Sequence, residues 1–393
     1  MGTGHGKRRP APGGGHHSRR QGTGLIRVYC KPKKATGEDM KALRFYGGKD
    51  IRLEDIPEPA PGPKQVKIKV KWCGICGSDV HEYLAGPILI PVKRPHPLTG
   101  RQAPITGGHE FSGEIVAMGD NVAQFKVGDR VTVRPTMPCY QCYYCKKGQH
   151  IQCEMLGSIG GAADGAFADY VVAPVDNVYK LPDSVSYEAG SFVEPLACCV
   201  HAVKRGRMEP GAAVAVIGAG PIGLLTMQSA LACGASDVFI FEFLPERMRL
   251  AKELGATEVI NPKEGNPGKI IASLTSGRRA DMVFECAGPG EALLLADTVC
   301  GRGGTIVEVG LMTEPFKFPF SNLFLREKSI ITSQGYVDEF PAAIAFLGNG
   351  KVKCDPMMIS SKVKVEDALE KGIKELTSER KLQHCKILVS PEL

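Results

Sequence analysis

The period of hydrophobic and polar positions changes along this chain, and each period predicts a different kind of element. Residues 64–72 (KQVKIKVKW) alternate apolar with charged side chains, the pattern of a half-buried β-strand, and Pro57, Pro59, Pro61 and Pro63 punctuate its approach. Residues 113–118 and 129–133 read as further short strands bordered by glycines. Residues 84–108 carry Pro87, Pro91, Pro95, Pro97 and Pro104 with little periodicity, which predicts an irregular lobe lying over a site, since loops of that length in a compact domain are usually functional. From residue 212 apolar runs alternate with helical stretches. The runs at 213–217, 237–242, 256–260, 280–285, 304–309 and 329–333 predict six strands with helices between them, the complement of a doubly wound parallel sheet. Helices are then expected near 340–347 and 365–376, and a last strand at 383–388 is expected to return to the first domain. The fold class is α/β: a mainly β first domain at 40–195, a doubly wound parallel domain at 196–334, and a return to the first domain at 335–393.

Composition refines this picture at one end. With 393 residues, 43% of them hydrophobic, the chain can build two substantial cores, and no run approaches the ~20 apolar residues of a membrane helix. The formal charge of +7 sits wholly in residues 1–39, where nine Lys and Arg face only Glu38 and Asp39. The remaining 40 basic and 40 acidic residues balance, so no nucleic-acid-binding face is expected. Residues 1–39 are rich in Gly, Pro, His and Arg without apolar periodicity, which predicts a disordered extension. The extension has no apolar stretch of a secretory signal, and Gly6 stands where a myristoylation pattern needs Ser or Thr. A cytoplasmic location is expected; the absence of acidic residues before Glu38 leaves mitochondrial import open.

The first two runs of the parallel domain frame Gly218-Ala-Gly220-Pro-Ile222-Gly223, and the second run ends in Glu242, nineteen residues beyond Gly223. Strand, glycine turn, helix, strand and acid in that order form a dinucleotide (Rossmann) site. Gly218 makes the turn, Gly220 admits the pyrophosphate to the helix N-terminus beside Ile222, and Gly223 lets helix and strand pack closely. Glu242 would accept hydrogen bonds from the adenosine ribose hydroxyls and repel a 2′-phosphate, favouring NAD over NADP. Arg247 and Arg249 point mildly the other way, or border the adenosine.

Four of the fourteen cysteines cluster as Cys139, Cys142, Cys145 and Cys153, a spacing that lets one loop wrap four thiolates around zinc with no position left for water, as in a structural site. An iron–sulfur cluster also takes four thiolates, but its usual spacings differ. Residues 73–81 bring Cys76, Ser78, Asp79 and His81 together: a thiolate ligand, a hydroxyl, a carboxylate and an imidazole. His109 and Glu110, after two glycines, are the next ligand candidates. Glu194 before Pro195 signals by itself only a turn.

In this order GICGSDVH, GGHEFSGEIVAMGDNV followed by KVGDRV, the four-cysteine loop, VEP and GAGPIG resemble the zinc-dependent medium-chain alcohol and polyol dehydrogenases over about nine tenths of the chain. Within that family WCGICGSDVHEYLAGPILIP, the long segment before GGHE, and SQGYVDEF are most similar to the (R,R)-butanediol dehydrogenase group, with sorbitol, xylitol and L-arabinitol dehydrogenases as near relatives. The resemblance implies a GroES-like catalytic domain, one catalytic and one structural zinc, and a homodimer or homotetramer. It assigns Cys76, His109 and Glu194 as catalytic zinc ligands, with Glu110 replacing or alternating with one of them. Asp79 would hold the far nitrogen of His109, and Ser78 and His81 would pass the alcohol proton to water. The implied activity is hydride transfer between a vicinal diol of the 2,3-butanediol/acetoin type and NAD, with a longer polyol as the alternative substrate. A non-catalytic nucleotide or zinc sensor on the same fold is the reading from another class; Cys76, Ser78, His81 and His109, all present, speak against it.

Overall fold

The computed structural model of the chain describes residues 1–2, 33–312 and 314–393. The expected disorder of residues 3–32 lies outside the described residues. Strand Lys33–Gly47 begins before the expected start of folding at residue 40 and pairs with Asp50–Ala60 from Lys33 opposite Ala60 onward.

Strand Gln65–Gly74 follows its alternating pattern: Val66, Ile68 and Val70 are fully buried while Lys67, Lys69 and Lys71 face outward to carboxylates. It is the centre of the first domain. Strand Glu110–Met118 lies along one edge, Tyr170–Pro174 pairs with its first half, and Lys386–Ser390 comes back from the C-terminus to pair antiparallel with its end, Leu388 opposite Gly74. Strand Ile359–Lys364 adds a parallel neighbour beyond Lys386–Ser390. Between Ala85 and Glu110 only the short strand Ile105–Thr106 is regular, as the prolines predict.

The second domain is a six-stranded parallel sheet in the order Glu258–Ile260, Asp237–Phe241, Ala213–Ile217, Ala280–Glu285, Cys300–Glu308 and Ser329–Thr332. Strand order reverses between Ala213–Ile217 and Ala280–Glu285, and the crevice at that reversal is where such sheets bind dinucleotides. Gly223 has the predicted function of close packing: a Cβ there would lie 1.9 Å from the Gly218 carbonyl oxygen.

Three sequence expectations change. Glu194 and Pro195 belong to the first turn of helix Val193–Gly206, where a missing N–H is tolerated, so the segment is not a bare turn. That helix also runs across the expected domain boundary at residue 195. The helix expected at 365–376 is a succession of 3₁₀ and π turns, Val365–Asp367, Ala368–Ile373 and Glu375–Thr377, in which Gly372 lies close against Ile75. The last strand is Lys386–Ser390, a few residues later than its apolar run suggests, because Glu379–Gln383 forms a 3₁₀ turn ahead of it.

The Gly223 contact is backbone against backbone and cannot relax by rotating a side chain. Gly223→Ala is expected to destabilise the protein by about 1–3 kcal/mol and to weaken dinucleotide binding; an unchanged melting temperature would refute the close-packing role.

Candidate active site and metal centres

The metal loop is set by a bond internal to it. The Cys76 backbone N–H donates to Asp79 Oδ2 at 2.9 Å, which caps helix Gly77–Ala85 and leaves Asp79 Oδ1 3.7 Å from His109 Nδ1. With Nδ1 facing Asp79, the other ring nitrogen of His109 points to Ser78 Oγ at 3.4 Å. The donor atoms of Cys76, His109 and Glu110 all lie within 4.8 Å of one another. Thiolate, imidazole and carboxylate suit zinc, and three protein donors leave a position open, as in a catalytic site. His81 stands on the same helix one turn after Ser78 and is exposed.

Glu110 is 1% exposed, and its Oε2 is paired with the ammonium of Lys386, itself buried, from the C-terminal strand. Gly74 makes room for that pair: a Cβ there would lie 2.8 Å from Lys386 Cε. Burial alone would lower the Lys386 ammonium, but Glu110, Cys76 and Glu194 together raise it, so it remains a cation. Burial likewise works against His109, yet Asp79, Cys76 and Glu194 raise it well above the ordinary imidazole range. Glu194, on helix Val193–Gly206, stands outside the group of three. Burial pushes its carboxyl up to about 7, with Glu110 adding to the effect and His109 opposing it. Tyr336, 2% exposed, borders Glu194, and burial and that carboxylate raise its phenol.

In the second cluster the four sulfurs of Cys139, Cys142, Cys145 and Cys153 also lie within 4.8 Å of one another. Backbone N–H groups converge on them, from Gln141 and Cys142 to Cys139 Sγ and from Cys139 and Met155 to Cys153 Sγ, at 3.2–3.4 Å. Such bonds stabilise thiolates. The N–H groups of Cys145 and Glu154 bring the Cys142 thiol down to about 6. Four sulfur donors without an open position fit a structural zinc.

At the crevice, Gly218 ends its strand, and helix Pro221–Ala232 starts after Gly220, placing Ile222 and Gly223 in its first turn. Glu242 is buried, its Oε2 accepting from Ala219 N at 3.0 Å and its Oε1 from Phe243 N and Leu244 N at 2.7 and 3.1 Å. These bonds lock the carboxylate beside the glycine turn. Arg247 lies over Gly220 and donates to the carbonyl of His384 at 3.1 Å, tying the crevice to the C-terminal return. Arg249 is paired with Glu246 and Glu253 on its own helix.

The sequence reading missed Lys386 and Tyr336. A lysine inside the apolar run CKILVS was the available signal for the first; Tyr336 gave only its place in SQGYVDEF.

Residues 62–183 match the alcohol dehydrogenase GroES-like domain and residues 221–349 the zinc-binding dehydrogenase domain. The chain is similar to the (R,R)-butanediol dehydrogenase of Bacillus subtilis (strain 168), 41% identical over 90% of this chain and 100% of that protein. It is 35% identical to a sorbitol dehydrogenase of the same organism over 86% of this chain and 94% of that one. Among solved structures, 2R,3R-butanediol dehydrogenase from Bacillus subtilis superposes with a TM-score of 0.83 at 40% identity, covering 90% of this chain and 99% of that one. A zinc-binding dehydrogenase from Sinorhizobium meliloti 1021 bound to NADP superposes with a TM-score of 0.82 at 31% identity, over 90% of this chain and all of the other.

Elemental analysis is expected to find two zinc ions per chain. Cys76→Ser is expected to lose one ion and all measurable turnover while keeping the wild-type circular dichroism; retention of both ions in that variant would remove Cys76 from the ligand set.

Proposed function

We propose, on the premise that this chain belongs to the zinc-binding medium-chain dehydrogenases, that it oxidises a secondary alcohol of a vicinal diol with NAD and, in reverse, reduces an α-hydroxy ketone. The chain is a dehydrogenase acting on CH–OH donors. The observation that carries the finer reading is the group Cys76, His109 and Glu110 beside Ser78, with Glu194 and Tyr336 next to it. Cys76, His109 and Glu110 would hold a catalytic zinc, with Glu194 the donor in reserve, and Cys139, Cys142, Cys145 and Cys153 a structural one. When bound, zinc supplies Lewis acidity that makes a coordinated hydroxyl acidic near neutral pH, and the nicotinamide accepts the hydride.

The protein's own groups do the rest. Ser78 Oγ, 3.4 Å from His109 Nε2, takes up the hydroxyl proton as it passes its own through an intervening hydroxyl to His81, exposed and one turn later, which releases it to water. Asp79 keeps His109 oriented by facing its Nδ1. Glu110 and Glu194 put carboxylate oxygens near the metal group, where the second hydroxyl of a vicinal diol finds acceptors. The N-terminus of helix Pro221–Ala232 receives the pyrophosphate, with Ile222 in its first turn and Arg247 above it. Glu242, an anion locked at the glycine turn, favours ribose hydroxyls over a 2′-phosphate and supports NAD. The likeness to butanediol dehydrogenase at 41% identity, against 35% for the sorbitol enzyme, supports the short diol; a polyol is the second reading.

Assembly as a homodimer or homotetramer belongs to the same proposal. Leu311, Phe320, Phe324 and Leu325, in the segment between Cys300–Glu308 and the edge strand Ser329–Thr332, are 68–83% exposed, apolar area that a second copy would cover. Among the described residues no helix is long and apolar enough to cross a membrane. Clustered cysteines serving as metal donors fit a reducing compartment, which supports a cytoplasmic place.

Steady-state rates on C4 diols, sorbitol and xylitol with NAD and NADP test the reading. The highest kcat/KM is expected for 2,3-butanediol with NAD, and Glu242→Ala is expected to raise the KM for NAD and narrow its advantage over NADP. Preference for sorbitol or for NADP in the wild type would overturn the substrate or the coenzyme half. Sedimentation is expected to give a dimer or tetramer for the wild type and smaller species for Phe324→Asp; a monomeric wild type would refute assembly through this face.

A further inference from the structure

Strands Ala280–Glu285 and Cys300–Glu308 run in parallel with Glu285 opposite Glu308, at the carboxyl edge of the sheet beside the crevice. Glu285 is fully buried. Its Oε1 accepts from Ala287 N at 2.7 Å and Gly288 N at 2.9 Å, and its main-chain oxygen accepts from Val309 N and Gly310 N, each at 2.9 Å. One residue therefore ties the turn after its own strand to the turn after the next. That turn forms a wall of the crevice: Cys286 N donates to Ile217 O at 3.0 Å, and Ala287 Cβ lies 3.2 Å from where a Cβ on Gly218 would stand.

Glu285 Oε2 and both carboxyl oxygens of Glu308 are buried, with no donor from the main chain or from any other side chain among the described residues. Two neighbouring buried carboxylates cannot both be ionised. Burial, reinforced by the charge of Glu285, pushes Glu308 up to about 8, and burial raises Glu285 as well. Among the described residues the surrounding elements offer no neutralising cation. Helix Gly290–Val299 carries Glu291 and Asp297, and Asp297 is paired with Lys328 at 2.8 Å. The segment after Gly310 carries Glu314 and Lys317, neither bonded to the pair, and strand Ala213–Ile217 carries no charge. On the other face Cys286 and Cys199 approach, and Arg205 is engaged by the carbonyl of Thr332.

We propose that Glu285 and Glu308 share one proton and act as positioning residues for the coenzyme: the shared proton holds the Glu285 carboxylate on the 286–288 turn and keeps the crevice wall in place. The coenzyme half rests on the reading of this crevice as a nicotinamide-dinucleotide site. Loss of the proton sets two carboxylates against each other and loosens the wall.

Two readouts on wild type and Glu308→Gln, whose amide can donate to Glu285 at any pH, test it separately. The first is the melting temperature of ligand-free protein. Folded Glu308 keeps its proton up to about pH 8 while the unfolded carboxyl releases it near its ordinary range, so wild-type stability declines as pH rises between those limits and the decline stops above them. The glutamine variant lacks this decline, and the gap in its favour is expected to open from about pH 5 to about pH 8 and then stay constant. The second readout is calorimetric affinity for ADP-ribose, which carries no nicotinamide to sense the metal centre. Wild-type affinity is expected to be flat below about pH 8 and to fall by up to about tenfold per pH unit above it, while the variant stays flat. Parallel melting profiles would overturn the shared proton, and a wild-type to variant affinity ratio that is constant with pH would overturn the role in the crevice. Should ADP-ribose bind neither protein, the dinucleotide reading and the crevice role fall together, and the melting profiles still decide the shared proton.

Discussion

A carboxylate as deeply buried as Glu110 is tolerated only beside a cation, and here the cation is Lys386, separated from it by most of the chain. This pair dictates the architecture. To bring the lysine to the metal loop, the backbone must leave the first domain, wind the whole parallel sheet, and return as a strand that pairs with Gln65–Gly74 beside Gly74, the residue whose missing side chain makes the space. Removing one partner of such a pair typically costs about 3–5 kcal/mol, because the other is left buried and uncompensated. The first domain thus depends on the last residues of the chain both for a strand of its sheet and for a charge beside its candidate metal group.

The same return strand carries a mechanical link. Arg247, over the glycine turn, binds the carbonyl of His384, and two residues later Lys386 meets Glu110. Helix Val193–Gly206 makes a second connection, with Glu194 at its start beside the metal group and its end packed against Met282 and Val307 of the parallel sheet. Donor group and coenzyme crevice are therefore held by shared elements. That is what hydride transfer requires, because the two reacting carbons must be placed within near-contact distance of each other.

Legibility from sequence followed the range of the interactions. The six parallel strands were readable because buried strands declare themselves as apolar runs between glycine turns, and the four-cysteine lobe because one loop supplies all four sulfurs. The short motif likewise put Cys76, Ser78 and Asp79 close together, and all three meet at His109 or at one another. Lys386 was not readable, since a lysine in a short strand usually faces solvent and nothing near residue 386 names Glu110 as its partner. The helix beginning at Val193 was hidden by Pro195, which reads as a break although a first turn tolerates it. The pairing of Glu285 with Glu308 was likewise hidden, because the register between two strands is fixed by the whole sheet.

Charge explains why the metal group has the composition it has. Within one buried region the described residues place the carboxylates of Asp79, Glu110 and Glu194 and the sulfur of Cys76 against one permanent cation, Lys386. The excess of negative charge accounts for the raised imidazole of His109, and burial under that same excess for the carboxyl of Glu194 near 7. A divalent cation bound by Cys76, His109 and Glu110 would answer most of that excess, so the fit to zinc is electrostatic as well as a matter of ligand type.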